Sequence, residues 1–165
     1  MRIESDVLAP VVVDAAYRMT SHAHTLTAEW YASVIERRVS ELAYVELCGI
    51  VMAVSAVASF ARSIGAELPP LPPARPGDLR WLALDLARSP RNWVPVAAPG
   101  GVHAPVVEAL SAAPGEHALL WEHLAPTQYM ADEQMVDLAW TRGTLSRPQA
   151  ELVAARVALL RECFF

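Results

Sequence analysis

The sequence predicts an all-helical protein built from two similar halves joined by a proline-rich connector. Apolar residues recur at helical spacing on both sides of a central stretch, and no segment alternates polar and apolar long enough for a strand. The central stretch holds nine of the thirteen prolines, between Pro69 and Pro105. Two flanking segments then align without a gap at a register of 105 residues: "ELCGIVMAVSAVASFA" from Glu46 against "ELVAARVALLRECFF" from Glu151. A duplication accounts for that register. The expected boundaries are 1–66 for the first repeat, 67–105 for the connector and 106–165 for the second repeat.

Taken in order, the first half reads as "VVVDAAYRMTSH", "TAEWYASVIERR" and "SELAYVELCGIVMAVSAVASFARSIG", each with a broad apolar stripe. The run Leu47–Ala61 carries no charge for fifteen residues. A spanning helix needs about 20, and Glu46 and Arg62 flank the run closely, so a buried helix and no membrane partner are expected.

The connector cannot be one continuous helix, because interior prolines remove amide donors and clash with the preceding turn. Within it, "GDLRWLALDLARS" (residues 77–89) predicts a short helix, and "NWVPVAAP" is too short and proline-rich for a strand. The second half reads as "PVVEALSAAPGEHALLWEHLAP" and "SRPQAELVAARVALLRECFF". "VVE" at Val106–Glu108 echoes "VVD" at Val12–Asp14, and Trp30 and Trp121 occupy equivalent helices. Ser146 suits an N-cap, with Gln149 placed to bond back and Pro148 in the harmless first turn. Leu152, Val153, Val157, Leu159 and Leu160 then give that last helix its apolar stripe.

Composition excludes several classes of function. All thirteen basic residues are Arg, so no lysine can form a Schiff base. Net charge is −5 with the arginines scattered, which argues against a nucleic-acid partner. Apolar residues make up 54% of the chain, more than one small core needs, and predict buried contacts between copies. The opening "MRIESDVLAP" is no signal peptide and the two cysteines, Cys48 and Cys163, make no disulfide framework, so a cytoplasmic location is expected. The histidines at 22, 24, 117 and 123 sit at spacings that do not share a helix face, so no metal is expected, and no cofactor motif is present.

These residues resemble the alkylhydroperoxidase D (AhpD)-like proteins of the carboxymuconolactone decarboxylase superfamily. The likeness rests on "AYVELCGIVMAVSAVASFARSIG", the following "LPPLPP", "NWVP" and "LSRPQAELVAARVALLRECFF". The family motif is a glutamate, eleven residues, Cys-x-x-Cys and a histidine four residues further on. Glu151 and Cys163 stand at the first separation. The resemblance implies thiol-dependent peroxide reduction of peroxiredoxin type, an oxidoreductase and antioxidant activity. It also implies a homo-oligomer and a dithiol reductant such as dihydrolipoamide.

By the same resemblance Glu151 is the general base of a proton relay and Cys163 the redox thiol. In the first repeat the motif falls on Ala58, Ala61 and Gly65, so no thiol chemistry is expected there. The chain stops two residues after Cys163. The expectation is a site incomplete in this chain, without turnover by the family route, and association with another copy to cover Leu159, Leu160, Phe164 and Phe165. The alternative is a catalytically inactive helical oligomerisation protein of the same fold. A cofactor-free decarboxylase is disfavoured, since no histidine stands at the matching place. Cys48 reads as core, and the five tryptophans as packing.

Overall fold

A computed structural model describes residues 7–71, 73, 85–88, 90–97 and 105–161. Most of these residues are helical, as the sequence predicts. Helix α1 spans Pro10–Ser21, α2 Ala28–Glu36 and α3 Glu41–Ser63. The starts of α2 and α3 follow from side-chain capping. Thr27 Oγ1 accepts from the Trp30 amide at 3.1 Å, and Ser40 Oγ from the Ala43 amide at 3.1 Å. Arg38, with φ of 68°, breaks the chain between the two helices, and Gly65 at the same φ ends α3. There the Ala66 amide returns to the Ala61 carbonyl at 2.9 Å.

The second half is more broken than its sequence suggests. Short helices α4 (Pro105–Glu108), α5 (Pro114–Ala118) and α6 (Ala125–Gln128) surround a π-helical stretch at Leu119–Leu124. Pro114 falls in the first turn of α5, where a missing amide costs little, while Pro126 follows the π-helical stretch directly, with Leu124 and Ala125 already helical. Helix α7 covers Arg147–Leu160. Its start is as expected: Gln149 Oε1 accepts from the Ser146 backbone amide at 2.9 Å.

Two expectations for the connector are corrected. Leu86–Ala87, placed in a helix over 77–89, forms a two-residue strand (β1) antiparallel to Val96–Ala97 (β2), inside the segment judged too short for a strand. The rest of that expected helix, 77–84 and 89, lies outside the described residues. A two-residue ladder needs no period-two pattern, so none was there to read. A second small hairpin pairs Thr141–Arg142 (β3) with Leu145–Ser146 (β4).

Packing centres on α3. Tyr31, Val34, Val39 and Tyr44 form one cluster, with the Tyr31 and Tyr44 rings edge-on at 4.9 Å. Val45 joins Leu110, Ala112 and Ala113 in a second, so the two halves of the chain share a core. Cys48 and Val94 touch both clusters, which gives the "NWVP" stretch its packing role. The connector is further stapled to α4. Arg91 Nη2 and Asn92 Nδ2 donate to the two oxygens of the buried Glu108 carboxylate at 2.9 and 3.1 Å.

The expected burial of the α3 stripe is corrected as well. In α3 only Tyr44, Val45, Gly49 and Ala61 are buried, and one long face is open. The helix runs 23 residues and is long and apolar enough to cross a membrane by length and composition alone. In α7 only Ala150 is buried, and Leu152, Val153, Val157, Leu159 and Leu160 are all exposed. The pattern identifies an apolar face; it does not say which chain covers it.

Candidate functional site

Glu151 occupies the second turn of α7, and the chain around it is built to hold its carboxylate. Arg147, one turn earlier, donates from Nε to Glu151 Oε1 at 2.6 Å. The same guanidinium gathers the 134–137 loop: Nη1 donates to the Gln134 and Asp137 carbonyls at 3.0 and 3.1 Å, and Nη2 to Met135 at 3.1 Å. On the other side the Tyr129 hydroxyl donates to Glu151 Oε2 at 2.5 Å. Tyr129 is positioned in turn by Arg142 of β3, which donates to the Tyr129 carbonyl at 2.7 Å and also to the Thr127 carbonyl. Met130, fully buried, anchors the turn between them.

This arrangement fixes charge states. The Tyr129 hydroxyl and the Arg147 guanidinium hold the Glu151 carboxyl below its ordinary value. Burial, and then the neighbouring carboxylate, push the Tyr129 phenol up to about 12. Glu151 is therefore an anion and Tyr129 a proton donor at neutral pH. Both carboxylate oxygens are engaged, yet the side chain is 42% exposed against 13% for Arg147. Such a group polarises and orients a neighbouring donor well, and abstracts a proton weakly.

Cys163, the second residue of the expected site, lies outside the described residues. The other thiol, Cys48, is packed in the core with Sγ 3.9 Å from Met19 Sδ. Burial pushes it up to about 12, which leaves almost no thiolate. At the first-repeat motif positions, Ala58 and Ala61 sit on α3 and Gly65 just past its end.

Glu46, which the 105-residue sequence register sets against Glu151, lives in different surroundings. Burial raises its pKa, and Glu116 on α5 raises it further. Among the described residues no group of three or more histidines, cysteines or acids is placed to hold a metal ion. An apolar groove of about 720 Å³ opens beside the C-terminal half of α3, bounded by Ala56, Ser59, Phe60 and Ser63 and, across it, Thr127, Gln128 and Arg142.

Sequence reasoning missed the partners of both glutamates. Arg147 stands four residues before Glu151, a spacing that places the two on one helix face and could have been read. Tyr129 and Glu116 are remote in sequence and gave no local signal. No family model, curated protein or solved structure matches the chain.

Proposed function

We propose that this chain is an AhpD-like, peroxidase-related protein, with duplicated repeats at 1–66 and 106–165 and the connector 67–105 between them. It acts in the cytoplasm as a homo-oligomer in thiol-dependent peroxide reduction. In this reading Glu151 is the general base of the proton relay, Cys163 the redox thiol and a dithiol the reductant. The thiolate takes one oxygen atom from the peroxide and releases water or an alcohol. The sulfenic acid then condenses with one thiol of the dithiol donor, losing water, and the donor's other thiol displaces Cys163 as the donor closes to its own disulfide.

The observation that carries the reading is the state of Glu151. A relay base has to be ionised at neutral pH, fixed in direction and still reachable; the Tyr129 and Arg147 bonds at 2.5 and 2.6 Å and the 42% exposure meet all three demands. Peroxide consumption with a dithiol donor tests it. The rate should fall to background in Cys163→Ser, and by at least ~10-fold in Glu151→Gln if proton relay matters. Equal rates for the native chain and Cys163→Ser remove the reading.

A second reading is favoured by the bare apolar faces of α3 and α7. Here the chain is a catalytically inactive helical subunit of the same fold, and its role is association. A stable multimer that consumes no peroxide is the outcome this reading expects.

A further inference from the structure

Two surfaces are left open in this chain, and their spacings match. On α3, Ile50 and Val57 stand seven residues apart, Ile64 follows at the same interval as the C-cap, Val54 and Phe60 lie beside them, and all five are exposed. On α7, Leu152 and Leu159, and Val153 and Leu160, repeat at the same interval, with Val157 between. A seven-residue apolar repeat on a helix exterior is the pattern of helix-on-helix packing, because it keeps one seam facing a partner helix. Among the described residues, no element covers either seam. The hairpin β3–β4 and the three bonds of Arg147 to the 134–137 loop hold the start of α7.

We propose that α7 of one copy lies along the open face of α3 in a second copy, and that the second copy returns the same contact. The pairing rests on the association reading given above. A two-fold dimer of this kind uses each seam once per chain and closes, so no further copies add. Pairing α3 with α3 would leave α7 bare. The ten side chains together leave roughly 1,000 Å² open, comparable to the about 800 Å² per partner of a standard stable interface. The groove beside Phe60, about 720 Å³ and lined by the small residues Ala56, Ser59 and Ser63 on the α3 side, gives the incoming Leu side chains depth to enter.

The test is mass in solution, by sedimentation equilibrium, of the native chain and of charge variants on each helix. The native chain should be a dimer at micromolar concentration. Val57→Glu and Val157→Arg should each weaken it at least tenfold, and mixing the two variants should restore dimers through an opposite-charge contact. Both positions are exposed, and helical circular dichroism checks that each variant is folded; Ile50→Glu substitutes for Val57→Glu if it is not. If the native chain dimerises and Val157→Arg leaves it unchanged, the α3–α7 pairing is overturned while association survives. A native monomer overturns both, and a monomer that co-sediments with phosphatidylcholine vesicles assigns the open face to lipid instead.

Discussion

Glu116 of α5 lies directly across the backbone of α3 at Gly49. A Cβ placed on Gly49 would stand 2.5 Å from Glu116 Cβ and closer still to its Cγ. The close approach of the two halves depends on that missing side chain. In an open helix, Gly→Ala stabilises by about 1 kcal/mol; here the added methyl has to displace α5, and overpacking costs about 1–3 kcal/mol. Gly49→Ala should therefore lower the urea midpoint. The cost should shrink in the Gly49→Ala/Glu116→Gly double variant. A raised midpoint for Gly49→Ala alone would contradict the contact.

Stability should weaken in acid through Glu151. Its pKa is lowered in the folded state, so its contribution is fully present above the ordinary value of 4.5. It is lost as the pH falls from there through the lowered value. The carboxylate is 42% exposed and screened by solvent, which limits the contribution to about 1 kcal/mol or less. Glu151→Gln should flatten this acid limb. Tyr129→Phe should flatten it in part, because it removes the first of the two bonds that favour the anion. Urea unfolding at pH 6 and pH 4 reads both effects.

Glu46 should show the opposite sign. Burial and the nearby Glu116 raise its pKa, so the folded state binds this proton more tightly than the unfolded chain does. Its charge works against folding at pH 7, and the penalty is relieved as the pH falls through the raised value toward 4.5. Glu46→Gln should be more stable than the native chain at pH 7 and lose that advantage on acidification. Comparing the two glutamine variants separates equivalent sequence positions by environment alone: equal pH profiles would remove the distinction drawn between them.

That contrast shows where the sequence was informative. Helix existence was legible because the apolar spacing and the cap at Ser146 are local. The capping bond from Ser146 to Gln149 needed only three residues to specify it. The π-helical break at Leu119–Leu124 and the pairing of Leu86–Ala87 with Val96–Ala97 depend on contacts made elsewhere in the fold, and no local pattern announces them. The site divides in the same way. Glu151 was picked out by the resemblance to a family motif, but its surroundings are set by Tyr129, twenty-two residues earlier. The stripe of α3 was legible as apolar and misread as covered, because periodicity reports chemistry and not the neighbour.

Cys48 should be an inert thiol. It sits between the two core clusters, and burial raises it to about 12. Only the thiolate attacks a disulfide reagent, and at pH 8 such a group is thiolate about once in ten thousand molecules. Packing also blocks the reagent's approach. In Cys163→Ser, where Cys48 is the one thiol left in the sequence, an aromatic disulfide reagent should release almost no chromophore from the folded chain. It should release one equivalent once urea unfolds it. Fast release under native conditions would mean that α3 opens readily at Cys48, and that the contact of this thiol with Met19 at 3.9 Å is not maintained.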